Sequence, residues 1–222
     1  MAFNVVEKNL IQINEKIVPY KPKIIAVTKY YDVSAIEDAY RAGLRDFAEA
    51  RVNDAIKKIE LLTSDIKENS KFHFIGHVQT NKVDKVVKYF DCIQSVDSLH
   101  LAEAVSKSAQ KQGKIQDILI QVNISGEVQK FGFEERTLLE EFEKIKSLPN
   151  IRIIGLMCMA PLGADENVLN DVFSRARLMK ELLNDKFDMN MTELSMGMSD
   201  DYVCAVRNGA TMIRIGRLLF NL

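Results

Sequence analysis

No run in this 222-residue chain comes near the ~18–20 consecutive apolar residues that a helix needs to cross a bilayer. The first residues, MAFNVVEKNLIQINEKI, hold Glu7 and Glu15 inside their apolar stretch, so a secretory signal is not expected. Charge of one sign is not in surplus: 30 Lys and Arg face 31 Asp and Glu, a formal net charge of −1. Binding to a phosphate backbone needs a basic surplus, which sets nucleic acid aside as the main ligand. Cysteine is scarce, with Cys92, Cys158 and Cys204 far apart and no CxxC pair. An odd, scattered set supports neither a zinc cluster nor a disulfide framework, and fits a reduced, cytoplasmic protein.

What is present is ordinary globular composition, 47% hydrophobic and 27% charged. At roughly 150 residues per domain, the length allows one large domain or two small ones. Eight strand-length apolar segments recur: 24–29, 46–50, 71–76, 92–97, 117–124, 151–159, 193–199 and 211–217. Several are nearly continuous hydrophobic runs, as parallel strands covered on both faces require. Helical segments lie between them. SAIEDAYRAG (34–43) opens on a Ser34…Glu37 capping-box pattern and closes on Gly43, with Gly113 and Gly209 ending two more helices in the same way. All four prolines fall outside element interiors.

Such alternation implies right-handed βαβ units. Eight of them in this length predict a single α/β domain, residues 1–222, folded as a (β/α)8 TIM barrel. A doubly wound open sheet is weaker, because TKYYD after the first strand has no glycine to turn around a dinucleotide. Residues 3–18 predict an extra N-terminal helix, placed on the barrel floor.

In a barrel, chemistry sits where the strands end. The first strand ends in Lys29, and partial desolvation there frees an amine as a nucleophile. Gly197, Ser199 and Gly216 follow the last two strands, the usual phosphate site of the fold. Asp200 and Asp201 must point outward there, since anions compete with phosphate. Arg214 shares strand parity with Met212 and Gly216. Its two readings are an ion pair inside the barrel, for example with Glu193, or donation to a ligand acceptor. An amine, a phosphate cradle and an inward Arg suit a phosphorylated aldehyde held as a Schiff base, with pyridoxal 5′-phosphate (PLP) the obvious candidate.

Five ordered motifs then add a resemblance. They are AVTK (26–29), HFIGHVQTNK (73–82), VNISGEVQKFGF (122–133), GLMCMAP (155–161) and ELSMGMSDDYVCAVRNGATMIRIG (193–216). Across essentially its whole length the chain resembles the pyridoxal phosphate homeostasis proteins, whose barrel is of the alanine-racemase N-terminal type. The resemblance implies that Lys29 carries PLP covalently and that Ser199, Gly216 and the backbone of Arg217 contact phosphate. It also implies that Arg214 faces the pyridine nitrogen; Met198 and His77 are further candidate contacts. The implied function is PLP homeostasis without catalytic turnover, in a cytoplasmic monomer that serves apo-PLP enzymes. A PLP-dependent racemase is the alternative, and its second acid/base group would come from a further domain for which little chain remains. A cofactor-free Schiff-base aldolase is a third reading.

The chain departs from the family pattern twice. FGEN reads Phe47-Ala48-Glu49-Ala50 and RIGT ends in Arg217. Loss of the amide at position 50 removes one hydrogen bond, worth about 0.5–1.5 kcal/mol, or a two- to tenfold change in affinity. His73 and His77 lack a third metal ligand, and His73 reads as a hydrogen-bonded core residue. Lys82, Lys85 and Lys88, opposite Val83, Val86 and Val87, read as a solvated helix face.

Overall fold

The computed structural model describes residues 5–127 and 131–221. Residues 3 and 4 of the expected first helix and 128–130 of the VNISGEVQKFGF motif lie outside them.

The strands are β1 (Lys23–Val27), β2 (Asp46–Glu49), β3 (Lys71–Phe74), β4 (Cys92–Val96), β5 (Gln116–Gln121), β6 (Ile151–Met157), β7 (Glu193–Ser195) and β8 (Met212–Ile215). Each pairs in parallel with its sequence neighbours, and β8 pairs with β1 to close the barrel. The helices are α1 (Val5–Lys16), α2 (Val33–Arg41), α3 (Val52–Leu61), α4 (Ser64–Glu68), α5 (Val83–Tyr89), α6 (Leu99–Lys111), α7 (Glu135–Lys146), α8 (Glu166–Phe187), α9 (Tyr202–Arg207) and α10 (Arg217–Phe220). The expected (β/α)8 barrel is therefore the observed one. None of these helices is long and apolar enough to cross a membrane.

The run-like hydrophobicity of the strands has the expected cause. Alternate residues serve two separate cores. Ile25, Ala48, Cys92, Leu119, Met157 and Met212 form a cluster inside the barrel. Ile24, Ala26, Phe47, Phe72, Ile118 and Ile120 belong to the larger layer between sheet and helices. The interior also buries polar side chains, among them His73, Gln94, Ser195 and Arg214.

The strands are shorter than the apolar segments at their C-terminal ends. β7 stops at Ser195 and β8 at Ile215, because the backbone there leaves the ladder to form the mouth loops. Gly43, Gly113 and Gly209 adopt φ of 94°, 64° and 94°, the left-handed conformation expected of helix-ending glycines. Pro19, Pro22, Pro149 and Pro161 all lie outside helices and strands.

Two expectations are corrected. The capping box at Ser34 and Glu37 does not form. Helix α2 starts earlier, and Asp32 caps it by accepting from the Ser34 N–H at 3.1 Å and the Ser34 hydroxyl at 2.6 Å. An ionised carboxylate two residues upstream outcompetes a serine hydroxyl for the first-turn donors. Nor does α1 close the floor. It packs against α2 and α10 on the outer wall, burying Val6 and Ile13. The Asn9 amide donates to the carbonyls of Leu219 (3.1 Å) and Asn221 (3.0 Å). Because α10 is a single turn, α1 fills the eighth place in the helical ring.

The observed cap makes a direct test. Asp32→Ala lowers stability by about 0.5–2 kcal/mol, whereas Glu37→Ala stays within about 0.5 kcal/mol, both read from urea unfolding.

Candidate functional site

Ile25 and Val27 face the barrel interior, so Lys29 continues that face where β1 gives way to its loop. The side chain is half-buried. Among the described residues its ammonium makes no ion pair or hydrogen bond, and the ring of its neighbour Tyr30 lies 5.1 Å away.

The turn that carries Lys29 is clamped from outside the sheet. Thr28 and Glu49 have the opposite parity to Lys29 and Ala48, so they point toward α3. There Lys58 forms a very short ion pair with Glu49. The same ammonium donates to the carbonyls of Thr28 (2.8 Å) and Tyr31 (3.1 Å), and the Thr28 hydroxyl donates to Glu49 Oε1 at 2.7 Å. Glu49 and Lys58 side chains are 2% and 12% exposed, which makes this a buried pair rather than a surface one. Glu49 Oε2 has no hydrogen-bond partner among the described residues.

Arg214 enters the interior from β8 and is 4% exposed. It does not pair with Glu193, whose carboxylate instead accepts from the Thr211 hydroxyl at 2.8 Å. Its guanidinium donates to Ser195 Oγ at 2.8 Å and to the Cys158 carbonyl at 3.0 Å. Among the described residues no carboxylate forms an ion pair with it. Burial presses its pKa down, opposed by Cys158 and by the charge of Asp201.

Ser199 and Arg217 meet above β7 and β8. Ser199 Oγ accepts from the Leu218 N–H at 3.3 Å. Arg217 turns its side chain outward to Asp200 at 2.7 Å, so the position that departs from the family pattern presents backbone to the mouth. The backbone N–H groups of Ser199, Gly216 and Arg217 find no acceptor among the described residues. Asp200 points outward as required. Asp201 does not: its Oδ1 accepts from the Met198 N–H at 2.5 Å, which removes that donor from any ligand. Burial pushes the Asp201 carboxyl up, against that hydrogen bond and the charge of Arg214.

The two glycines have reasons other than ligand approach. Gly197 has φ of 91°, and a Cβ there would lie 2.6 Å from Ala205 Cβ. A Cβ on Gly216 would lie 3.3 Å from the Val27 carbonyl oxygen. Both spaces face protein. His77 lies at the same mouth, on the loop after β3, stacked on Phe131 at 4.2 Å and paired with Asp97 at 3.2 Å. Among the described residues no hydrogen bond or ion pair links it to Lys29 or Arg214. His73 is the expected core histidine, bonded to Asp46 and Gln94. No cluster of three metal-ligating side chains occurs among the described residues. A surface depression of about 710 Å³ lies between α7 and α8 and contains none of the mouth residues.

This geometry has known counterparts. The alanine racemase N-terminal domain family model matches residues 3–222. A pyridoxal phosphate homeostasis protein from Synechocystis is 38% identical over 202 residues, 91% of this chain and 92% of its own length. One from Aquifex aeolicus is 37% identical over 198 residues, 89% of this chain and 86% of its own. The chain belongs to the pyridoxal phosphate homeostasis protein family. Among solved structures, PipY of Synechococcus elongatus with PLP bound superposes with a TM-score of 0.90 at 36% identity. That match covers 97% of this chain and 100% of PipY. An alanine racemase of Clostridium difficile, at 14% identity and a TM-score of 0.81, shares the fold; this chain covers 56% of its length.

Sequence reasoning placed Lys29, Ser199, Arg214, Gly216 and Arg217 at one mouth. It missed the Lys58 clamp, whose only signal is a glutamate ending an apolar strand. It also missed Ser195 and Gln94, polar residues at inward parity within apolar strands. The clamp predicts a large asymmetry. Lys58→Met strands the Glu49 charge and costs about 3–5 kcal/mol of stability, and adding Glu49→Leu restores most of it. Urea unfolding of the three proteins measures both values.

Proposed function

We propose that this family member binds PLP at the mouth of the barrel, covalently through Lys29, and stores or supplies it without catalytic turnover. The observation that carries this reading is Arg214: a buried guanidinium that makes no ion pair with a carboxylate among the described residues. A buried cation is tolerated when a ligand or hydrogen-bond acceptors complete its surroundings. The other groups fit the same molecule. The Lys29 amine suits an aldehyde, with which it condenses to an imine as water leaves. The unpartnered N–H groups of Ser199, Gly216 and Arg217 suit a phosphate.

PLP supplies an electron sink when bound, and the residue at its ring nitrogen sets how strong that sink is. Arg214 offers only donors, so a ring nitrogen facing it acts as acceptor and stays unprotonated. That weakens carbanion chemistry and favours carriage over racemisation. The names of the homeostasis relatives support the same choice. In this reading the protein works in the cytoplasm as a monomer and exchanges cofactor with apo-PLP enzymes.

Purified protein incubated with PLP develops an imine absorbance band that Lys29→Ala abolishes. Borohydride reduction followed by peptide mapping places the adduct on Lys29; an adduct on another lysine, or none, overturns the reading. Efficient, sustained α-proton exchange from free amino acids would overturn the non-catalytic part of it. Ala50→Asn, which restores the family's amide, tightens PLP binding two- to tenfold, as gaining one hydrogen bond should.

A further inference from the structure

Arg214 does not stop at Ser195. The Ser195 hydroxyl lies 2.7 Å from Gln94 Oε1, and Gln94 Nε2 lies 3.0 Å from His73 Nδ1. His73 Nε2 lies 2.9 Å from Asp46 Oδ1, which also has Lys23 Nζ at 3.9 Å. Four hydrogen bonds therefore join a residue of β8 to the first residue of β2, crossing the barrel through β7, β4 and β3. Ser195 and Gln94 are fully buried or nearly so, and His73 is 2% exposed. Asp46, at the floor, is 15% exposed.

The donor roles follow from the network, because its two ends have only one role each. A guanidinium only donates, so Ser195 Oγ accepts from Arg214 and must give its single hydrogen to Gln94 Oε1. The Gln94 amide then presents an N–H to His73, whose Nδ1 carries no proton. The ring proton sits on Nε2 and donates to the Asp46 carboxylate. Every donor points away from the buried cation and toward the anion at the floor. Such aligned dipoles polarise one another and offset part of the cost of burying the guanidinium. Reversing any one member sets two donors or two acceptors face to face.

We propose that Ser195, Gln94, His73 and Asp46 form a positioning relay that fixes Arg214, so that the barrel floor controls the orientation of the guanidinium at the mouth. Two N–H donors of Arg214 are consumed by Ser195 and the Cys158 carbonyl. The relay fixes where the others point. This role toward a bound ring nitrogen rests on the PLP reading, whereas the relay itself belongs to the ligand-free chain.

The test uses Gln94→Glu, which keeps side-chain size but replaces the amide donor, together with Asp46→Ala and Asp46→Asn at the partly exposed floor. In ligand-free protein, NMR shows His73 as the Nε2–H tautomer. Exchange of the Arg214 guanidinium protons quickens about tenfold in Gln94→Glu and in Asp46→Ala, as the loss of one hydrogen bond allows. Asp46→Asn, whose amide oxygen still accepts from His73, stays near the parent rate. With PLP added, Gln94→Glu and Asp46→Ala shift the absorption maximum of the bound cofactor while borohydride still labels Lys29. Unchanged Arg214 exchange in both Gln94→Glu and Asp46→Ala overturns the relay. If the parent protein takes no PLP on Lys29, the functional reading fails, and the exchange rates still decide the relay.

Discussion

A guanidinium sealed inside a closed parallel barrel is the constraint around which the interior is arranged. Eight strands with short parallel ladders leave little room, and most inward positions hold apolar side chains. Arg214 breaks that rule, and its neighbours adjust to it. Ser195 supplies an oxygen rather than a methyl group, Gln94 takes the serine hydrogen, and the backbone at Cys158 turns a carbonyl inward. Without these acceptors the charge would face hydrocarbon alone, which proteins avoid by several kcal/mol. The polar half of the barrel interior is thus a consequence of one side chain on β8.

The outside of the sheet carries the complementary device. Lys58 lies on α3, far in sequence from the strand end that it stabilises, yet it holds the Thr28 and Tyr31 carbonyls on either side of Lys29. The loop after β1 has no glycine of its own. Its shape is imposed by charge from the helical layer. The interior relay and the exterior clamp meet at adjacent strands, β8 and β1, where Lys29 and Arg214 are brought to the same opening.

Much of this was legible before any coordinates, for physical reasons. Strands buried on both faces must be nearly continuous apolar runs, and helices that end in left-handed turns favour glycine; both marks survive in one sequence. Position at a strand end put Lys29 at the mouth, and strand parity gave Arg214 the face of Met212 and Gly216. The rest depended on competition between groups of similar chemistry. Ser34 and Asp32 are both good caps, and only the fold shows that Asp32 takes the role. Arg214 had several eligible partners, and Glu193 lost because it sits at the floor end of β7 beside Thr211. Gly197 looked like a ligand-facing glycine, but the space beside it belongs to Ala205. Sequence patterns report which face a residue takes; they do not report which neighbour wins it.

The placement of α1 has a consequence for how the molecule is assembled. The first helix completes the ring beside α10, and the Asn9 amide is satisfied by carbonyls more than 200 positions away. Tyr31 reaches across to the Asn221 side chain at 2.8 Å in the same region. Closure of the barrel therefore joins segments more than 200 positions apart in the sequence. Contacts of such long separation form late, after the loop entropy between them has been overcome. Lys29 gains Arg214 from the neighbouring strand β8, and Ser199 from the loop after β7, only when that closure is made. The surroundings of Lys29 are thus among the last features of the fold to be completed.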